Sequence, residues 1–245
     1  MIAVKRSTLF KDIRSVFSQT SLPANSKKQS IIMINLKKLL GLDFSGILFT
    51  VLERNRRECN ILFFNYFIHF LCYLRGVKLG KNVIFNGRPI IHRYFNSNIY
   101  LGNGSLFNSS KNSVIIGLNQ PCSFVTLGKD AEIVFGNNSG ATGIKIAARA
   151  KIKIGNNVLI GSNCTIVDND FHHSDPRKRT SDYIPTKPII IEDNVFIGFH
   201  CFILKGSTIG KNSIIGANSV VCNDIPENSI AMGNPCRVIM KNIYT

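Results

Sequence analysis

A mainly β chain wound as a solenoid is what this sequence predicts, and two independent series of residues predict it. From Ile154, steps of six residues land on Ile160 and Ile166 and, after an interruption, on Ile191, Ile197, Ile203, Ile209, Ile215 and Val221, all of them β-branched aliphatics. Four residues after positions of this series stand Val158, Cys164, Val195, Cys201, Ser207, Ser213 and Ser219, all small or β-branched. Neither the helical period nor simple strand alternation yields a step of six. A triangular coil of three short flat strands, each one hexapeptide long, turns one aliphatic and one small residue inward on every side. Three hexapeptides make one coil, so Ile191 stacks on Ile209, Ile197 on Ile215 and Ile203 on Val221. A Gly often follows the aliphatic residue and an Asn comes two to three residues after it, types that suit corners with unusual backbone angles.

The chain divides into a basic, partly helical segment over 1–75, the repeat over 76–230 and a tail over 231–245. The first 80 residues hold 13 basic and 4 acidic side chains and two apolar stretches, Phe44–Leu52 and Ile61–Leu74. Ile61, Phe64, Ile68 and Leu71 recur at helical steps, after a polar tract (TSLPANSKKQS) with loop composition. The Ile61–Leu74 run is shorter than the ~20 residues of a spanning helix and carries Asn65 and His69. Two readings stay open for it: a helical cap on one end of the main domain, or a basic amphipathic segment resting on a membrane, flanked by Arg54, Arg56, Arg57, Arg75 and Lys78.

Composition sets the outer bounds. With 44% hydrophobic and 18% charged residues the chain supplies a packed interior, which excludes a mostly disordered protein. A formal charge of +16 favours anionic partners, yet no nucleic-acid module accompanies it. Seven cysteines without a C-x-x-C pair fit neither a disulfide framework nor a zinc ribbon. The start, MIAVKRSTLFKDIR, lacks the apolar stretch and cleavage site of a secretory signal. The expected location is cytoplasmic, with a peripheral variant on the inner membrane face.

Upstream of Ile154 the phase is ragged: Ile116-Gly117, Phe135-Gly136 and Ile154-Gly155 follow one another at 19 residues, so continuing coils with one-residue irregularities are expected. The 25-residue step from Ile166 to Ile191 is not a multiple of six. An excursion over about 168–188 leaves the solenoid there, opening with Asp168, Asp170, His172, His173 and Asp175. Imidazole is the side chain suited to proton transfer near neutral pH.

The segment IGNNVLIGSNCTIVDNDFHHSD, followed by KPIIIEDNVFIGFHCFILKGSTIGKNSIIGANSVVCNDIPENSIAMGNPCRVI, resembles the hexapeptide-repeat, left-handed parallel β-helix acyltransferases. The likeness is to the branch of galactoside, maltose and bacterial surface-polysaccharide O-acetyltransferases. LRGVKLGKNVIFNGRPII is similar to enzymes of capsule, colanic acid or O-antigen gene clusters, and the likeness covers roughly 77–240. It implies a homotrimer that binds acetyl-CoA along the solenoid in a groove between subunits, and a sugar or polysaccharide-precursor acceptor. D-F-H-H-S-D places His172 on the catalytic position, with His173 one residue away as runner-up and acceptor neighbour. Asp170 or Asp175 would orient the imidazole. Gly198 and Ala217 match small residues along the donor path, and Arg237 in GNPCRV matches a phosphate partner. Asn223 stands where relatives often carry Lys, leaving Lys205, Lys211 or Lys241 to replace it.

Galactoside and maltose enzymes carry Asn and Asp on the acceptor coil, and Ala141 and Arg149 align there. Neither sugar is therefore carried over. Arg149, within KIAARAKIKIG, suits an anionic acceptor. Three alternatives remain: an N-acyltransferase acting on an amino sugar nucleotide, a non-catalytic solenoid scaffold, and a zinc enzyme of the γ-carbonic anhydrase type. The solenoid lacks the H-x4-H pair of that last type, so no metal is expected.

Overall fold

The computed structural model describes residues 64–111, 118–180 and 183–242. The chain forms two units, Met1–Arg56 and Arg57–Thr245. The Phe44–Leu52 stretch, the polar tract and the Arg54, Arg56, Arg57 cluster lie outside the described residues.

Six coils follow a helix, α1, over 64–74. The first coil is β1 (Lys78–Leu79), β2 (Ile84–Asn86) and β3 (Ile90–His92); the second is β4 (Asn98–Leu101), β5 (Leu106–Asn108) and β6 (Ser123–Thr126). The third is β7 (Glu132–Phe135), β8 (Gly140–Thr142) and β9 (Lys145–Ala148), and the fourth β10 (Lys151–Ile154), β11 (Leu159–Ile160) and β12 (Thr165–Val167). The fifth is β13 (Ile189–Ile191), β14 (Phe196–Ile197) and β15 (Phe202–Leu204), and the sixth β16 (Thr208–Ile209), β17 (Ile214–Ile215) and β18 (Val220–Val221). The first, second and third strands of successive coils stack as three parallel sheets, here called A, B and C. β19 (Ser229–Met232) extends sheet B in parallel, and β20 (Arg237–Lys241), from the tail, closes it antiparallel.

The six-residue series is the core. Ile191 pairs with Ile209, Ile197 with Ile215 and Ile203 with Val221. The excursion does not disturb the stack, because Ile154 lies under Ile191 and Ile166 under Ile203. Ser207, Ser213 and Ser219 are buried at the second inward position, each hydroxyl donating to a backbone carbonyl, so none of the three is left unpaired. The left-handed corners fall three residues after the aliphatic position, at Asn157, Asn163, Asn194, Asn212 and Asn218, with His200 replacing Asn once. Asn tolerates this backbone because its short amide bonds locally. At Asn157, Asn194, Asn212 and Asn228 the amides form a ladder at 2.9–3.2 Å.

Three readings are corrected. The glycines after the aliphatic residues of the regular coils are not left-handed. A Cβ on Gly198 would sit 2.6 Å from the Ala217 nitrogen, so glycine is needed there for close approach of neighbouring coils. The upstream coils also differ by more than single residues: Phe135 pairs with Leu101, 34 positions back. Ile116, between β5 and β6, lies outside the described residues. Finally, Ala141 is a core residue, in register with Phe107 below and Ile160 above; an inward methyl there has no bearing on an acceptor.

Of the two readings of the apolar run, α1 is a cap on the first coil. Ile68 and Cys72, one turn apart, are buried. The polar interruptions dock it: Asn65 accepts from the Phe85 N–H at 2.8 Å, and His69 Nε2 meets the Val83 carbonyl at 2.9 Å. These serve β2, the edge strand of sheet B among the described residues. Phe64, Tyr66, Phe67, Phe70, Tyr73 and Leu74 are exposed on the same helix. Among the described residues no helix is long and apolar enough to cross a membrane.

Candidate active site

The histidine excursion departs from the corner between sheets C and A. Its first residue, Asp168, is fully buried, and its carboxylate accepts the Arg149 and Ala150 N–H groups, both at 2.7 Å. Those two residues form the corner between β9 and β10 in the coil below. Asn169 donates to the same carboxylate at 3.1 Å. The returning strand closes a neck: Lys187 N–H donates to the Asp168 carbonyl at 2.9 Å, Asp170 N–H to Pro185 at 3.2 Å, and Asn169 bridges Thr186 antiparallel. Charge at Asp168 thus serves the backbone, a role that grouping it with the titratable cluster did not reveal.

Beyond the neck the chain turns sharply. Phe171 has φ +59, its N–H donates to Asn169 Oδ1 at 2.9 Å, and the His172 N–H returns to the Asp170 carbonyl at 2.6 Å. A bond from residue i+2 to residue i around a positive φ is the rare, strained form of γ-turn. It leaves His172 exposed at its end. His173 is half-buried; its Nδ1 accepts the Asp175 N–H at 3.0 Å, and its ring lies 6.1 Å from Tyr183. Neutral His173 therefore carries its proton on Nε2.

The carboxylates have other partners. Asp170 pairs with Lys205. Asp175 caps the 3-10 turn Pro176–Lys178 and pairs with Arg177 at 2.9 Å; hydrogen bonds from the Arg177 side chain and backbone hold its carboxyl below the usual carboxylate range. Among the described residues neither carboxylate hydrogen-bonds an imidazole, and the hydrogen bond between Asp175 and His173 is made by the Asp175 backbone N–H. Of the lysines expected to replace a donor contact, Lys205 is taken by Asp170 and Lys211 by Glu227, while Lys241 is exposed at the end of β20.

The expected site residues occupy two different edges of the prism. His172, Asp170, Lys205, Arg149 and Asn223 are distributed over successive coils along the edge where sheet C turns to sheet A, with Asp170 and Lys205 in contact. Gly198 and Ala217 stack where sheet B turns to sheet C, beside exposed Phe199 and beside His200, whose Nε2 meets Asn163 Nδ2 at 3.3 Å. Arg237 is exposed at the start of β20, with Nη1 on the Cys236 carbonyl at 3.1 Å. Arg149 is half-buried, and the basic coil around it is partly neutralised by the Lys151–Glu132 pair at 2.8 Å. Among the described residues no three His, Cys, Asp or Glu side chains converge as a metal site.

Comparison with known proteins matches residues 188–223 to the bacterial transferase hexapeptide (six repeats) and residues 151–167 to the hexapeptide repeat of succinyl-transferase. A galactoside O-acetyltransferase of Lactococcus lactis is 47% identical over 92 residues, 37% of this chain and 43% of the relative. Its counterpart from Escherichia coli is 49% identical over 90 residues, 36% of this chain and 43% of the relative. The chain thus spans about half the length of the curated relatives it matches. Among solved structures, the N-acyltransferase AntD from Bacillus cereus, in complex with dTDP and 3-hydroxybutyryl-CoA, superposes with a TM-score of 0.54 at 20% identity over 71% of this chain and 87% of that one. This is a likeness of fold.

Proposed function

We propose that the coils of this chain are those of a hexapeptide-repeat acetyltransferase, a reading supported by the matched repeats and by the galactoside O-acetyltransferases similar to it, and that the enzyme moves an acetyl group from acetyl-CoA to a hydroxyl on a bacterial surface polysaccharide or its sugar precursor. The observation that carries the reading is the exposed imidazole of His172 on a strained turn, at the one interruption of the matched repeat. His172 acts as general base: it removes the hydroxyl proton as the oxygen attacks the thioester carbonyl, then returns it to the departing thiolate of CoA. Backbone N–H groups at a neighbouring corner stabilise the oxyanion. Transfer to oxygen rather than nitrogen is favoured because the relatives at 47% and 49% identity are galactoside O-acetyltransferases.

Arg237 and Lys241 are assigned to the donor's phosphates, Gly198 and Ala217 to the path of its pantetheine arm, and Arg149 with His173 to the acceptor. These groups lie on two edges of one chain, so the site closes only when the sheet B–C edge of one copy faces the C–A edge of another. A homotrimer of parallel prisms, built from one heterologous contact repeated round a threefold axis, provides that arrangement. Sheet B supports self-association. Its outer face lines up Ile84 on Leu106 and Leu159 on Phe196, with Gly140 between the two pairs; the four side chains are each 39–57% exposed, an apolar ladder unusual on a monomer. The outward aromatics of α1, with exposed Lys78 and Arg88 nearby, favour peripheral contact with the inner face of the cytoplasmic membrane, where a lipid-linked precursor would be met. Mass spectrometry of surface glycans from wild-type, deletion and His172→Ala strains tests the function: the last two should lack the same acetyl increment, and identical glycans in all three would overturn it.

A further inference from the structure

We propose that Lys205 is a positioning residue that acts through Asp170 to hold the turn presenting His172; the inference rests on the reading of His172 as base. Lys205 does not belong to the excursion. It follows β15, on the coil above the one the excursion leaves, and its ammonium pairs with the Asp170 carboxylate. Both partners are partly withdrawn from water, with side chains 27% and 36% exposed, so this pair is less screened than the open surface pair of Lys211 and Glu227, each 55% exposed.

What the pair holds is a conformation that the chain does not adopt by preference. An aromatic residue with positive φ is an outlier, and Phe171 is 48% exposed, so its own burial offsets little of the strain. The ties on either side do so: Asn169 Oδ1 takes the Phe171 N–H, and the Asp170 carbonyl takes the His172 N–H. Asp170 is thereby bonded at three points: N–H to Pro185, carbonyl to His172 and carboxylate to Lys205. The first two belong to the loop itself. Among these three bonds, the one to Lys205 ties the turn directly to a residue of the stacked coils, beside the indirect route through Asn169 and Asp168. Strain of this kind persists where its surroundings over-determine it, and Lys205 supplies that constraint from outside.

The groups facing Asp170 also predict a pH effect. Without Lys205 its carboxylate is left unpaired two residues from His172, where it would stabilise imidazolium. In the full-length protein, Lys205→Met is expected to lower kcat by roughly ten- to hundredfold, the range for a misplaced catalytic group. KM for acetyl-CoA should be nearly unchanged, and the acid limb of the kcat–pH profile should move to higher pH. Lys205→Arg, which keeps the cation, should recover most of both, and so should the exchange of Asp170→Lys with Lys205→Asp. Thermal melts of each variant separate these effects from unfolding. Wild-type kcat and an unmoved acid limb in folded Lys205→Met would overturn the proposal, as would a loss that neither Lys205→Arg nor the exchange repairs. The NMR titration of the His172 ring distinguishes the two readings. If His172→Ala stays active the base assignment falls, while displacement of the ring titration in Lys205→Met, reversed in Lys205→Arg, still reports whether Lys205 governs the turn.

Discussion

His172 and His173 are adjacent in sequence and differently situated. The Nδ1 of His173 is occupied by the Asp175 N–H, which commits that ring to shaping the loop, whereas His172 stands exposed at the end of the γ-turn. His172→Ala should lower turnover by roughly 10²–10⁴-fold, the range for a positioned general base. His173→Ala should cost less than tenfold, mainly through a looser loop. Steady-state kinetics on folded variants decides, and the reverse order would move the base to His173. The acid side of the activity profile narrows the choice of titrating group. Asp175 has a lowered carboxyl pKa in the folded state, so its contribution is present above the ordinary carboxylate value and is lost only as pH falls through the lowered one. Activity lost on acidification well above pH ~4 is therefore not the protonation of Asp175. Arg237 lies on β20, away from the histidine edge. Removing a grip on phosphate weakens ground and transition states alike, so Arg237→Ala should raise the Kd for acetyl-CoA about tenfold, the loss of one charge-assisted contact, with kcat at saturation little changed. Calorimetry showing unaltered affinity would reject the assignment.

At the scale of elements, the excursion stands on its neck. Asp168 satisfies two backbone N–H groups of the coil below and holds Asn169, so Asp168→Ala strands two partly buried donors and should destabilise by roughly 2 kcal/mol. A fall in Tm with the Ile154–Ile191 stack intact, followed by amide exchange at Arg149 and Ala150, is the expected result. Unchanged protection at both amides would contradict this role. The helix α1 carries the next expectation. Its buried side is fixed by Ile68 and Cys72, and its aromatic outer side should bind vesicles containing anionic lipid at low salt and release them as salt rises. Tyr66→Ser with Phe70→Ser should abolish sedimentation with vesicles without loosening the cap. Sedimentation unaffected by both changes would leave α1 as a cap alone. These elements were unequally legible in sequence. The downstream coils could be read because one shape constraint recurs every six residues, and the polar Asn65 and His69 proved to be the residues that dock α1 on the first coil. The pairing of Phe135 with Leu101 could not be read, since an excursion of arbitrary length carries no period. Asp168 was hidden for a related reason: acidic residues in a loop look alike until the backbone donors they face are known.

For the whole molecule, the apolar ladder on sheet B makes assembly the leading expectation. Phe196→Glu with Leu159→Glu puts charges on the outer face without touching the inward columns, so the chain should stay folded while a trimer dissociates, because unpaired charge in a contact is costly. Light scattering at matched concentration reads the mass, and a parallel loss of turnover would show that two edges from different copies form the site. A trimer unaffected by both substitutions would place the contact on another face. The columns themselves have a less visible consequence. Ile154 meets Ile191 across an intervening loop as squarely as Ile191 meets Ile209 across none, so the interior records which rung follows which but keeps no count of them. A nascent chain that paired one rung out of step would bury nearly the same side chains and satisfy nearly the same carbonyls. Such a miscount is detected only where the pattern is not repeated: the Phe107, Phe124 and Phe135 rings clustered at 5.1–6.1 Å, α1 at one end and the antiparallel β19–β20 closure at the other. Those irregular pieces are the punctuation by which a repetitive text is read in frame, and exchanging them for consensus coils would yield a more regular molecule that loses its place more often while folding.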